Sequence, residues 1–484
     1  MRFDASQLRR VSESVWDIPR HGGMRVPGRV YADDALMAHI REEKALDQVV
    51  NVAHLPGIVG RSLAMPDIHW GYGFPIGGVA ATDPAGGGVI SPGGVGYDIN
   101  CGVRLMATSL PATDAQSRIQ SIVAALFSDV PSGVGSRGAI GKLSSRELSN
   151  VMEQGAAWAV SRGYGTDGDL ERTEERGRLA TADPSTVGKR AVERGLDQVG
   201  TLGSGNHFIE LGVVDEVFDE PAARAFGLEA GEATLLIHSG SRGLGYQVCD
   251  DYLEVMQGAM SKYRIELPDR QLACAPVDSP EGRDYLSAMA CAANYAWANR
   301  QVMMSLAAAA LEKAMGLSAE RMGLRLVYDV CHNIAKLETH DVDGRRLRLC
   351  VHRKGATRAF PAGHPDVPSP YAAVGQPVLV PGDMGRSSYV LVGTDRAMEE
   401  TFGSCCHGAG RVLSRKRARK EARGRSIAAE LLERGVCVMA TGKGTLAEEM
   451  PQAYKDVANV VNVAEKSGIA RRVARLRPLG VVKG

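Results

Sequence analysis

Short apolar runs punctuate the chain at residues 79–81, 103–110, 234–237, 324–330, 378–380 and 389–392, and each predicts a strand. Longer stretches with apolar residues three and four apart predict helices. One covers residues 35–53. A second covers 144–162, where Ser144 and Glu147 form a capping box, Leu148, Val151, Met152 and Trp158 share one face, and Gly163 stops it. The longest begins after Ser279-Pro280-Glu281, with serine as cap and proline in the first turn, and runs through an alanine-rich segment to Gly316. It reads as scaffold. The polar stretch 167–194 reads as surface helix and loop. Strands interleaved with helices along the whole length predict a mixed α/β or α+β fold. No internal repeat, low-complexity segment or proline-rich linker divides the chain, so residues 1–484 read as one large catalytic domain.

Composition adds one departure from the ordinary. Hydrophobic residues at 44% and charged residues at 23% are typical of a soluble globular protein. Glycine is not, with 57 in 484 residues, well above the usual share of about 7%. The glycines cluster in loops, where backbone can approach a ligand closely. A net charge of +1 offers no global field for nucleic acid, so any basic surface is local. Nine cysteines at irregular spacings argue against a disulfide framework and for a reducing, cytoplasmic setting. The N-terminus lacks the apolar core of a signal peptide, and no uncharged apolar run reaches the roughly 18–20 residues of a membrane helix.

Candidate chemistry collects where glycine loops meet predicted strands. In Gly93-Gly94-Val95-Gly96-Tyr97-Asp98-Ile99-Asn100-Cys101-Gly102 a carboxylate and a thiol lie three residues apart just before a strand. Four histidines occupy similar junctions. His207 lies in Gly203-Ser204-Gly205-Asn206-His207-Phe208, His238 ends an apolar run, His332 follows Tyr328-Asp329-Val330-Cys331, and His407 precedes Gly408-Ala409-Gly410. Imidazole, thiolate and carboxylate form the transition-metal ligand set. Five or six such groups exceed one tetrahedral site and suit two ions sharing the thiolate. Cys331, Cys405 and Cys406 adjoin these histidines without zinc-ribbon spacing and read as small core residues. The run from Met65 to Gly78, with Asp67, His69, Trp70 and Tyr72, reads as an aromatic, glycine-rich loop packed as a turn. On these residues alone, a two-metal hydrolase or nuclease and a non-catalytic nucleic-acid-binding module both stand open.

The runs GGVGYDINCGVRL, GSGNHFIELG, HSGSRGLG, VYDVCHN and CHGAGR, preceded by MPDIHWGYGFPIGG, resemble the RtcB-type RNA ligases, in the same order and over most of the chain. The resemblance implies a GTP- and manganese-dependent enzyme that joins an RNA 3′-phosphate or 2′,3′-cyclic phosphate to a 5′-hydroxyl, in tRNA splicing or RNA repair. It implies one Mn²⁺ on Asp98, Cys101 and His207, and a second on Cys101, His238 and His332. His407 would be the nucleophile that takes GMP. By ligand hardness alone the Cys/His₂ set favours zinc, so manganese rests on the resemblance. The guanine nucleotide would lie against Asn206, His207, Phe208, Ile209, Glu210, His332, Asn333, Pro381, Gly382, Asp383, Met384, Ser388, Gly408, Ala409, Gly410, Tyr454 and Lys483. Asp383 stands where some members have serine, and Lys483, next to last, would on its own read as a solvated tail residue. The glycine loop after His407 is expected to open a helix and offer free N–H groups to phosphate. The basic run 411–425, with eight Lys/Arg, and also Arg242 and Lys354, would contact RNA phosphates. Some members use an activating protein of the archease type, and the resemblance extends that partner to this chain as an expectation.

Overall fold

A computed structural model describes residues 3–484 and has the mixed α+β architecture that the patterning predicts. Two large sheets organise it. The first runs in the order Arg9–Ser12, Val15–Ile18, Gly28–Tyr31, Ile58–His69, Ile76–Thr82, Arg345–Lys354, Asn333–Val342. The second runs Arg325–Cys331, Gly102–Pro111, Glu232–Ser239, Phe208–Val217, Ala470–Lys483, Ser388–Gly393, Pro377–Val380, with Cys437–Ala440 added parallel to Ala470–Lys483. Central strands of the second sheet are covered on both faces, so they read as continuous apolar runs rather than alternating ones. The chain crosses from the second sheet to the first through a single residue, His332, between Cys331 and Asn333.

The 36-residue helix Pro280–Met315 packs beneath this crossing, with Ser279 Oγ accepting from Gly282 N at 3.1 Å and Gly316 closing it in the left-handed region. Its polar interior residues hold the site from below. Arg300 and Asp329, both fully buried, pair at 2.8 Å, and Arg300 also donates to the carbonyls of Asn100 and Ser239 at 2.7 and 3.0 Å. Asn299 donates to Gly240 O at 3.1 Å and accepts from Gly200 and Thr201 N. Burying one charge of such a pair without the other costs about 3–5 kcal/mol. The segments carrying Cys101, His238 and His332 are thus tied to one guanidinium.

Four predicted elements differ. Residues 35–53 form two helices, Asp34–Glu42 and Ala45–Val52, because Glu43 turns extended and its carboxylate accepts from Trp70 N at 3.2 Å. Residues 144–162 form Ser145–Gln154 and Ala156–Ser161, with the capping box intact. The break is Gly155, at φ +60°, where a Cβ would lie 2.0 Å from Gly177 O. The 65–69 stretch is strand rather than loop: it belongs to Ile58–His69, and Pro66 falls within a register irregularity between Ala64 and His69. Within 167–194, Glu174 is buried and pairs with Lys336 at 2.6 Å, so this segment is not wholly surface.

Candidate active site

Antiparallel pairing brings the ligand candidates together. Gly102 pairs with Ser239 and with Cys331, and His238 pairs with Val103 and Phe208. Two of these four neighbouring strands therefore start, and two end, at one edge of the sheet. Cys101 and His207 precede the starts, and His238 and His332 sit at the ends. His332 N donates to Cys101 O at 2.9 Å, which closes the group. Asn100 adopts φ 53°, a left-handed conformation that asparagine tolerates, and turns the chain between Asp98 and Cys101. Gly240 is required there, since a Cβ would lie 2.3 Å from the Asp98 carboxylate.

Cys101 Sγ lies 3.4 Å from His207 Nε2 and 3.3 Å from His238 Nε2. His238 Nε2 lies 3.4 Å from His332 Nε2, and His207 Nε2 lies 2.8 Å from Asp98 Oδ2. Two ligand sets result, Asp98/Cys101/His207 and Cys101/His238/His332, each with its donor atoms within 4.8 Å of one another and with the sulfur in common. The donor set fits a pair of transition-metal ions. Burial holds His238 and His332 well below the usual imidazole range, in the neutral form that ligates. His207 Nδ1–H donates to Leu202 O at 3.0 Å, which leaves Nε2 facing the site. Burial, then the Asp98 carboxylate, pushes the Cys101 thiol up, so a thiolate there at neutral pH calls for a cation beside it. His332 Nδ1 is buried without a hydrogen-bond partner among the described residues.

His407 follows the strand Ser404–Cys406, and its ring centroid is 4.7 Å from that of His332. Its Nδ1–H donates to Asp67 Oδ2 at 2.5 Å, and the same oxygen accepts from His407 N and Gly408 N. Asp67 is fully buried. Burial alone would raise its carboxyl, but His407 outweighs that and holds it low. An ionised carboxylate on Nδ1 leaves the Nε2 lone pair of His407 directed away from it and raises its basicity. The sequence reading missed this pairing, because it took Asp67 as part of a packed turn. Replacing Asp67 with asparagine is expected to slow His407-dependent chemistry by about 10²-fold or more with metal content unchanged, measured in single turnover. An unaltered rate would remove Asp67 from the site's chemistry.

A cavity of about 420 Å³ opens beside these groups. Asp98, Cys101, His238, Asn206, Phe208, His332, Asn333, Pro381, Gly382, Asp383, Met384, His407, Gly408, Ala409, Gly410, Tyr454 and Lys483 line it, as does Lys354. His207 lines the adjoining opening, with Tyr97, Asp98 and Arg242. Ile209 does not reach the cavity: it packs on the opposite face of its strand with Leu235 and Ile237. Glu210 and Ser388 lie beneath the lining, and Ser388 Oγ accepts from Gly382 N at 3.2 Å. Lys483 is not a loose tail residue. It ends the strand Ala470–Lys483 paired with Phe208, is 3% exposed, and holds its ammonium 5.2 Å from the Phe208 ring. Burial lowers it to about 8, against the pull of Glu449.

The glycine loop after His407 opens no helix. Arg411 bridges to Tyr454, and the helix Arg415–Glu421 starts only after Ser414. The basic run is also largely paired internally: Arg411 with Glu449, Arg415 with Glu448 and Glu449, Arg417 with Glu421, Arg419 with Glu448, Arg425 with Glu430. Lys416, Lys420 and Arg423 keep no carboxylate partner among the described residues.

Burial, then the nearby Asp383 carboxylate, raises Glu210 from 4.5 to about 8. Between those values the folded protein keeps a proton that the unfolded chain has lost, so this group makes stability fall as pH rises. Glu210→Gln is therefore expected to gain on the unsubstituted protein by about 1 kcal/mol per pH unit across that window. Denaturant midpoints at several pH values measure it, and a constant difference would contradict the assignment.

The profile of a family described as tRNA-splicing ligase RtcB matches residues 48–484. The chain is 54% identical over 478 residues to the tRNA-splicing ligase RtcB of Thermococcus kodakarensis, covering 99% of each chain. It is 54% identical over 479 residues to that of Archaeoglobus fulgidus, again covering 99% of each. The RNA-splicing ligase RtcB of Mycobacterium tuberculosis is 52% identical over 439 residues, which cover 90% of this chain and all of the relative.

Proposed function

Because the chain belongs to the RtcB family of tRNA-splicing ligases, we propose that it joins RNA 3′-phosphate or 2′,3′-cyclic phosphate ends to 5′-hydroxyl ends, using GTP and manganese. The observation that carries this reading is the shared sulfur of Cys101 between two ligand sets, with His407 adjoining them across His332. Two divalent ions, when bound, would hold phosphate oxygens and offset the charge of an in-line displacement. Asp98, Cys101 and His207 would hold one, and Cys101, His238 and His332 the other.

The remaining roles fall to the chain's own residues. His407 Nε2 attacks the α-phosphorus of GTP, pyrophosphate leaves, and a guanylylated histidine forms, while Asp67 holds the Nδ1 proton and steadies the growing positive charge. A 2′,3′-cyclic end is first opened by water, which breaks its P–O2′ bond and leaves a 3′-phosphate. The GMP passes from His407 to that 3′-phosphate, and the 5′-hydroxyl then attacks the activated end and releases GMP. A guanine edge presents one acceptor beside two donors. Lys483 supplies a cation for the first, and the Glu449 carboxylate, which acts on that ammonium and whose Oε1 has no hydrogen-bond partner among the described residues, supplies an acceptor for the second.

Arg242 lies at the second opening, beside Asp98 and His207, where RNA phosphate would approach from the side away from the nucleotide. Lys416, Lys420 and Arg423 add local positive charge on a separate surface concavity of the segment whose Arg411 and Arg415 line the cavity, on a chain with a net charge of only +1. No helix among the described residues is long and apolar enough to cross a membrane, and the nine cysteines are all free, which suits a cytoplasmic setting. Both sheets contribute to the site, which supports residues 1–484 as one catalytic unit. Ligation of a cyclic-phosphate-ended RNA to a 5′-hydroxyl RNA, with Mn²⁺ and with or without GTP, tests the reading. Cleavage without joining would favour a two-metal hydrolase instead.

A further inference from the structure

Two walls of the nucleotide cavity come from distant parts of the chain, the 381–384 turn and the 451–454 segment, and one side chain joins them. Arg386 donates from Nε to Asp383 Oδ2 at 2.6 Å, and from Nη2 to the carbonyls of Pro451 at 2.5 Å and Tyr454 at 3.1 Å. Asp383 Oδ1 accepts from Gly385 N at 2.9 Å, so both oxygens of this carboxylate are fixed. Tyr454 is fixed at its other end, where its hydroxyl meets Glu449 and accepts from Arg411 at 3.1 Å. Asp383 and Tyr454 both face the cavity, whereas Arg386 stands behind them and does not line it. A planar guanidinium can serve a carboxylate and two carbonyls at once, while an ammonium is a single point charge on a flexible stem.

Resting on the nucleotide reading above, we propose that Arg386 is a positioning residue for the guanine nucleotide. Through Asp383 and the two carbonyls it holds the turn and the Tyr454 segment at the separation that grips the ligand. Without it the walls are free to part, and nucleotide binding must first restore the closed arrangement, which lowers apparent affinity by the fraction closed. The chemistry at His407 is not touched, because Arg386 contacts neither His407 nor the ligand sets.

The test is guanylylation with labelled GTP and Mn²⁺ in the full chain and in Arg386→Thr, Arg386→Lys, Asp383→Ser and the double Asp383→Ser/Arg386→Thr. Each is expected to raise the KM for GTP about tenfold while kcat changes less than about twofold. Arg386→Lys is expected to do no better than Arg386→Thr, and the double variant no worse than either single, because the two residues act as one latch. An unchanged KM, a multiplicative double, or a loss confined to kcat would overturn the proposal. A merely structural role would lower the thermal midpoint and kcat together and leave no KM split. Absence of GMP labelling in the unsubstituted protein overturns the nucleotide reading and the latch with it. Labelling there, with variants unaltered, overturns the latch alone.

Discussion

His407→Ala is expected to take up no GMP and to join no RNA ends, a loss on the order of 10⁶-fold, as when a covalent nucleophile is removed from its assembly. Among the histidines around the cavity, His407 alone combines a ring adjacent to the ligand sets with a carboxylate on Nδ1. His207, His238 and His332 turn Nε2 toward the shared sulfur or one another and are committed to the ions. His69 also lines the cavity, but its Nδ1 faces the Asp67 carbonyl at 3.0 Å and burial drives it down to about 3. No other imidazole is placed to substitute. Labelled GTP and Mn²⁺ should mark the unsubstituted protein with an acid-labile adduct and leave the variant blank. Its metal content should be unchanged, because His407 belongs to neither ligand set. A labelled His407→Ala protein would move the covalent step to another residue and dismantle the proposed order of events.

How much of this was legible in the chain depends on whether the signal was local. The ligand candidates stood out because each sits at an end of an apolar run, all but His332 beside a glycine-rich loop, and antiparallel pairing then placed those junctions at one sheet edge. The helix Pro280–Met315 was legible from its cap, its alanines and its terminal glycine, though not the role of Arg300, since a buried arginine in a long helix has no sequence signature until its partners are known. Asp67 escaped for a related reason. Its meaning lies in a contact 340 residues away, and Pro66 beside it masked the strand that carries it. Lys483 looked like a tail because only non-local pairing, with the strands Phe208–Val217 and Cys437–Ala440, buries it. The basic run misled in the opposite direction. Its charge density is real, but Glu448 and Glu449, more than twenty residues on, fold back to neutralise much of it.

Cys101→Ala carries the second large expected effect, and its logic is that of a shared ligand. Removing His207 or His332 subtracts a donor from one set, whereas removing this sulfur subtracts a donor from both. Loss of a metal ligand's orienting partner alone costs about 10–100-fold in affinity, and loss of the bridging ligand itself should cost more at each ion. The variant is therefore expected to lose both GMP transfer and RNA joining, and to show no rise in thermal midpoint on adding Mn²⁺ where the unsubstituted protein does. The fold should persist without metal. Arg300 still anchors Asn100 and Ser239 on either side of the position, and alanine leaves only a small gap in place of a buried thiol. Metal content by elemental analysis, read beside the labelling assay, separates the cases. Two bound ions and full-rate GMP transfer in Cys101→Ala would mean that the sulfur bridges nothing. One retained ion with labelling but no joining would mean that the two sets serve different steps, so that a common sulfur would not be needed for the first of them.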